Sequence, residues 1–355
     1  MVSEKEIREA LTKVMDPELG RSIVELGMVR DVRLDNGQVD VTLALTTMGC
    51  PMKNRMVNDI KTAIRGLDGA LVTEVQLVEM TEEEKAEIFG VAEAKKGVAE
   101  AFNEIDHVIA VMSGKGGVGK SSVAALLAST LRKQGQRVGV LDADITGPSI
   151  PKMFGLKVAG MSPMGLLPAV TSSGIKVISI NLLLRDKTEA VIWRGPIISG
   201  AIRQFWGDVL WEELDTLVID LPPGTSDATL TVMQSIPLSG VLLVTSPQDL
   251  AGMVVRKAAS MARELHVPIL GLVENMSYVE CPQCGEEIQV FGYSHAAEVA
   301  EALGAPLLGR IPLDPELAMR CDTGQVELYT SDVFEPIAAR LEERVPDVKC
   351  KPLDE

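Results

Sequence analysis

The spacing of apolar residues changes period several times within residues 1–80, and each change predicts a new element. Between Lys5 and Val14, Ile7, Leu11 and Val14 recur at intervals of four and three, the period of a helix with one buried face. Val29-Arg30-Asp31-Val32-Arg33-Leu34 reads as a strand, Asn36-Gly37 as a tight hairpin turn, and Val39-Asp40-Val41-Thr42-Leu43 as the returning strand. A helix over Met52–Ile64 and a third strand over Leu71–Val78 complete a small α+β domain. Over residues 81–104 this pattern gives way to a run rich in Glu, Lys and Ala, starting Thr81-Glu82-Glu83-Glu84-Lys85, which reads as a charged linker.

Across residues 105–345 the rhythm is different. Short apolar runs at His107–Met112, Val138–Leu141, Lys176–Ile180, Leu217–Ile219, Val241–Val244, Ile269–Val273 and Leu307–Ile311 are separated by helix-length amphipathic stretches such as Ala251–Leu265. This alternation predicts an α/β fold, a doubly wound and largely parallel sheet. Ligands of such sheets sit beyond the carboxyl ends of the strands, so catalytic residues are expected there. Phe334–Arg344 predicts a last short helix, and residues 346–355 form a polar tail containing Pro346 and Pro352.

Composition narrows the function classes. Hydrophobic residues make up 46% and charged residues 24%, as in ordinary globular proteins. The net charge of −16 argues against a general nucleic-acid binder, which needs a basic face to displace counterions. No apolar run approaches a membrane span, and Met1-Val2-Ser3-Glu4-Lys5-Glu6 does not read as a signal peptide, so a cytoplasmic protein without membrane or nucleic-acid partners is expected. Five cysteines, Cys50, Cys281, Cys284, Cys321 and Cys350, are too few and too scattered for a disulfide framework.

The chemistry concentrates at strand ends. Gly114-Lys115-Gly116-Gly117-Val118-Gly119-Lys120-Ser121 satisfies the phosphate-loop pattern and is followed by Ser122 and a helical run. Its glycines let backbone N–H groups converge on phosphate oxygens, Lys120 reaches the terminal phosphates, and the Ser121 hydroxyl is suited to Mg2+. Asp142 and Asp144 follow the next strand, Asp144 placed to orient or deprotonate an attacking water and Asp142 to support the metal. Leu217-Val218-Ile219-Asp220 is a Walker B strand whose carboxylate holds Mg2+, and Pro222-Pro223-Gly224 makes a stiff loop able to act as a switch. Asp227 reads as a helix cap, and Asn275, after the strand Ile269–Val273, as either a turn residue or a contact to a purine edge. Cys281-Pro282-Gln283-Cys284 presents two thiols from one turn. The residues alone leave Zn2+, an iron–sulfur cluster and a redox disulfide open. Cys50, before a helix, suits either a reactive thiol or a small buried side chain. His107, His266 and His295 read as structural, and Trp193, Trp206 and Trp211 as core or dimer-surface residues rather than a cofactor box.

The second lysine of the loop, Lys115, resembles that of the deviant Walker A loop in the MinD/ParA/nitrogenase-iron-protein class. Asp142-Ala143-Asp144-Ile145-Thr146-Gly147-Pro148-Ser149, Asp220-Leu221-Pro222-Pro223-Gly224-Thr225-Ser226-Asp227, and Glu274-Asn275-Met276-Ser277 followed by Cys281-Pro282-Gln283-Cys284-Gly285 resemble the Mrp/ApbC iron–sulfur cluster carriers of that class. Asp16-Pro17-Glu18, Glu25-Leu26-Gly27 and Thr46-Thr47-Met48-Gly49-Cys50-Pro51 resemble the PaaD/SufT-like domain often fused to them. The resemblance implies a homodimeric ATPase in which Lys115 crosses to the partner's nucleotide. It also implies a [4Fe–4S] cluster bridged by two Cys281/Cys284 pairs, with Zn2+ as a substitute, and transfer from an assembly scaffold to apo iron–sulfur acceptor proteins. Competing expectations are a MinD/ParA-type regulatory switch and a zinc-stabilised NTPase without a cluster.

Overall fold

A computed structural model describes residues 3–15, 22–35, 38–45, 53–67, 71–81, 99, 102–162, 165–183 and 195–346. The Asn36-Gly37 turn, the Asp16-Pro17-Glu18 and Thr46–Pro51 motifs with Cys50, most of the charged linker, Trp193, and the tail with Cys350 lie outside the described residues. The chain divides into two compact units, Met1–Ala94 and Lys95–Glu355.

The first unit comprises α1 (Glu4–Leu11), β1 (Val29–Asp35), β2 (Gln38–Leu45), α2 (Lys53–Arg65) and β3 (Leu71–Glu79). Ser3 starts α1 with a reciprocal cap: Glu6 N–H donates to Ser3 Oγ at 3.4 Å, and Ser3 N–H donates to Glu6 Oε2 at 2.8 Å. The helix ends at Leu11, earlier than its apolar period suggests, yet Val14 is still buried beside Ile7 and Leu11. The sheet order is β1-β2-β3. β1 and β2 pair antiparallel with Asp35 opposite Gln38, as a two-residue turn requires, and β2 and β3 pair parallel.

The second unit comprises β4 (Glu104–Ser113), α3 (Lys120–Lys133), β5 (Val138–Asp142), α4 (Ile150–Met153), β6 (Gly160–Ser162), β7 (Gly165–Leu167), β8 (Ala169–Val170) and β9 (Lys176–Ile178). It continues with α5 (Gly195–Gly207), β10 (Glu213–Asp220), α6 (Asp227–Ser235), β11 (Gly240–Thr245), α7 (Asp249–Glu264), β12 (Ile269–Glu274) and the pair β13 (Val279–Glu280) and β14 (Glu287–Ile288). It closes with α8 (Ala296–Ala302), β15 (Leu307–Arg310), α9 (Pro315–Thr323) and α10 (Phe334–Glu342). The eight-stranded sheet has the order β15-β12-β11-β4-β10-β5-β9-β8, parallel except for β8, which runs antiparallel to β9.

The central strands carry unbroken apolar runs, Val108–Met112 in β4, Leu217–Ile219 in β10 and Val241–Val244 in β11, because both faces are covered there. In β4, Ile109 and Val111 join the core layer of α3 and α10, while Val108, Ala110 and Met112 join the layer of α5, α6 and α7. Trp211, wholly buried, donates its Nε1–H to the Phe205 carbonyl at 3.0 Å and so is a core residue. β4 lies between β10 and β11, where the direction of chain winding reverses, and the loops after β4, β5, β10 and β12 meet at that end of the sheet.

Candidate functional site

The phosphate loop runs from the end of β4 into α3. Gly119 is the N-cap of α3 with φ +76°, a left-handed conformation that suits glycine, and a Cβ there would stand 2.1 Å from Asn275 Nδ2. Gly114 is required for a second reason: a Cβ would fall 2.4 Å from the carbonyl carbon of Val254, so the backbone of α7 packs directly onto the loop. Gly224 N–H donates to the Ser113 carbonyl at 2.9 Å, which ties the Pro222–Gly224 segment to the start of the loop. The first turn of α3 leaves backbone N–H groups and the positive end of its dipole facing the loop.

Lys120, Ser121 and Asp220 form one polar cluster. Lys120 Nζ pairs with Asp220 Oδ1 and lies 3.2 Å from Ser121 Oγ; Ser121 Oγ donates to Asp220 Oδ2 at 2.6 Å. Lys120 is 6% exposed and Asp220 wholly buried. Asp142 stands beside Asp220 in the parallel register of β5 and β10 and is also wholly buried. It accepts from Ser179 Oγ at 3.1 Å and from the Asp144 N–H at 3.2 Å. Burial, reinforced by the Asp220 charge, pushes the Asp142 carboxyl up to about 8. Burial also raises Asp220, against the opposing pull of Lys120. Asp144 is only half-buried and accepts from Thr146 Oγ1 at 3.0 Å and Gly147 N–H at 3.1 Å, so its carboxylate faces the loop after β5.

Two residues make contacts absent from the sequence expectations. Asn275 is 3% exposed, and its Nδ2 donates to the Val118 carbonyl at 2.9 Å, so the amide nitrogen braces the phosphate loop. Lys115 Nζ is bonded to Gln248 Oε1 at the N-cap of α7 in its own chain. Asp227 is corrected: Ser226 is the cap of α6, accepting from Thr229 N–H at 3.4 Å, and Asp227 is the first helical residue.

Cys281 and Cys284 sit at the tip between β13 and β14. Cys281 N–H donates to the Glu286 carbonyl and Gly285 N–H to the Cys281 carbonyl, both at 2.9 Å, and Gly285 turns the chain with φ +75°. The backbone N–H groups of Gln283 and Cys284 point at the Cys281 sulfur and lower its thiol from the ordinary range. Cys284 is exposed, and neither thiol is in a disulfide. Among the described residues no group of three or more His, Cys, Asp and Glu side chains is arranged to hold a metal. Cys321 belongs to α9 and turns its side chain into the core, its thiol raised by that burial.

Ser179, Gln248 and Arg310 were missed by sequence, and Glu274 appeared there only within a motif, with no role. Their only signal was position, since each lies at or just past the carboxyl end of a sheet strand. A cavity of about 670 Å3, lined by Phe102, Arg132, Arg137 and Lys176 among others, lies at the opposite ends of the strands. Arg137 and Lys176 there are already paired with Asp215 and Glu212, and the nucleotide motifs are elsewhere.

A family model described as NUBPL iron-transfer P-loop NTPase matches residues 104–346, and one described as iron–sulfur cluster assembly protein matches residues 4–77. An iron–sulfur cluster carrier protein of Synechocystis sp. is 40% identical over 330 residues, 91% of each chain. One of Methanocaldococcus jannaschii is 47% identical over 261 residues, 71% of this chain and 89% of the relative. Among solved structures, a nucleotide-binding protein of Archaeoglobus fulgidus in complex with ADP is 47% identical with a TM-score of 0.60, covering 70% of this chain and 95% of that one. The chain therefore belongs to the NUBPL/ParA family of iron-transfer P-loop NTPases and carries in addition a domain of the iron–sulfur cluster assembly family.

Proposed function

We propose that this protein is a cytoplasmic, homodimeric, ATP-hydrolysing carrier that holds a [4Fe–4S] cluster between the Cys281/Cys284 pairs of two copies and passes it to apo-proteins. The observation that carries this reading is the cysteine tip itself: two accessible thiols, one with lowered affinity for its proton, and no third ligand among the described residues. A second copy supplies the missing pair. The relatives named iron–sulfur cluster carrier proteins support the cargo. Transfer exchanges the carrier's thiolates for the acceptor's, one iron–sulfur bond forming for each one broken.

The nucleotide half follows from the loop. The cradle made by Gly114, Gly116, Gly117, Val118 and Gly119 with the N–H groups of Lys120, Ser121 and Ser122 fits a triphosphate, and the Ser121 hydroxyl and Asp220 carboxylate, backed by Asp142, fit Mg2+. The metal would neutralise charge on the β- and γ-phosphates. Asp144 orients the water that attacks the γ-phosphorus and accepts its proton. A P–O bond forms to that water, and the bond to the β,γ-bridging oxygen breaks, leaving ADP and inorganic phosphate. Lys115 of each copy serves the partner's nucleotide, and Asn275 holds the loop and offers its remaining amide edge towards the base. Anaerobic reconstitution with iron and sulfide, followed by metal analysis and sizing, tests the reading. Four irons per dimer in the wild type and none in Cys281→Ala/Cys284→Ala are expected. Zinc alone, or an unchanged cluster in the double variant, would overturn it.

A further inference from the structure

Arg310 ends β15 and binds, at once, the strand end that braces the phosphate loop and both legs of the cysteine hairpin. Its Nε donates to Ser277 Oγ at 2.7 Å and lies 3.8 Å from Glu274 Oε2. Ser277 Oγ in turn donates to Glu274, whose carboxylate is 1% exposed. On its other side, Arg310 Nη2 donates to Glu287 Oε2 at 3.1 Å on β14, and its guanidinium lies 4.9 Å from the centre of the Tyr278 ring, just before β13. Arg310 also pairs in register with Glu274 across β12 and β15.

The loop side of this network is equally direct. Asn275, between Glu274 and Ser277, holds the Val118 carbonyl. Met276 beside it has φ +56°, a left-handed conformation in a residue with a side chain, and its Cε would be 3.3 Å from a Cβ on Gly119. Such strain persists only where the surroundings hold it, and here the holders are the phosphate loop on one side and the Arg310 cluster on the other. A loop that shifts on phosphate release therefore moves Asn275 and Met276, and Ser277 carries that movement into the guanidinium.

We propose that Arg310 is a positioning residue that couples the nucleotide state of the phosphate loop to the pose of the Cys281/Cys284 hairpin. The planar guanidinium suits this role because its donors diverge, one edge to Ser277 and Glu274 and the other to Glu287. The inference rests on the reading of the cysteine pair as the cargo site, but its test does not need the cargo.

The experiment uses metal-free, reduced full-length protein with Mg2+ and either ADP or a non-hydrolysable ATP analogue. N-ethylmaleimide modification of the Cys281–Cys284 peptide is followed by mass spectrometry. The two nucleotides should change the wild-type rate by about fivefold relative to each other, a coupling of ordinary size. In Arg310→Gln the ratio should fall to about one while affinity for a fluorescent ATP analogue stays within about twofold. Glu287→Ala, which removes only the exposed acceptor and leaves Glu274 paired, should also reduce the ratio. A wild-type ratio of one, or wild-type ratios in both variants, would overturn the proposal. A wild type that shows the ratio but takes up no cluster would instead overturn the carrier reading alone.

Discussion

Asn275 and Gly119 occupy adjoining space so tightly that a single methyl group on the glycine would stand 2.1 Å from the asparagine amide nitrogen. The loop keeps its left-handed turn and its side-chain brace only because residue 119 has no Cβ. Gly119→Ala should therefore lower ATP affinity at least about tenfold, through the clash and a left-handed penalty of about 1–2 kcal/mol. Gly119→Ala/Asn275→Ala should recover part of that loss, because the clash goes and the backbone penalty stays. Titration of a fluorescent ATP analogue against the single and double variants checks this, and an additive loss would refute the steric account.

Lys120 has a structural role beside the phosphate contact proposed for it. It is the cation beside two wholly buried carboxylates, Asp220 and Asp142. Lys120→Ala should cost about 3–5 kcal/mol of stability, the usual loss when one partner of a buried pair is removed. Lys120→Ala/Asp220→Asn should restore most of it without restoring ATP binding. Denaturant melts of the four proteins, read as a double-mutant cycle, separate the two roles.

The nucleotide half was legible because its motifs are local. Gly114–Ser121, Asp142 and Asp220 each announce themselves within a few residues, and the all-apolar runs of β4, β10 and β11 place them at one end of a sheet. What was illegible depends on register between distant strands. Ser179 reaches Asp142 only because β9 lies beside β5, and Arg310 reaches Glu274 only because β15 lies beside β12. The short β6–β7 and β13–β14 hairpins carry too few residues for any period to show. Asn275 sits at a strand end, where an asparagine ordinarily serves a turn, and its contact to Val118 comes from a residue 157 positions away.

Asp142 should make stability depend on pH. Its folded carboxyl ionises at about 8, well above the ordinary carboxylate range, so between the unfolded and folded values the folded chain binds more protons. The contribution is full below about pH 4 and is lost as pH rises towards 8. Asp142→Asn, which keeps the shape and removes the ionisation, should melt a few degrees higher than wild type near pH 8 and about equally at pH 4 in nucleotide-free, metal-free protein. Melting curves across that range check the sign. A variant less stable at pH 8 than at pH 4, relative to wild type, would contradict it.

Lys115 is held by Gln248 of its own chain, and service to a partner's nucleotide requires that contact to open. The proposal can be tested by mixing two inactive proteins. Lys115→Ala should bind ATP but hydrolyse it poorly, and Lys120→Ala should fail to bind it. In a mixed dimer, the site on the Lys115→Ala chain keeps its own Lys120 and receives an intact Lys115 from the other chain. The opposite site lacks both. Random 1:1 pairing puts half the dimers in the mixed state with one working site in two, so the mixture should recover about a quarter of wild-type turnover. Should Lys115 act within its own chain, neither site of the mixed dimer is complete and mixing recovers nothing. Gln248→Ala, which releases Lys115 without touching the phosphate cradle, should raise wild-type turnover rather than lower it. Phosphate-release assays on the separate and mixed proteins decide between the two arrangements.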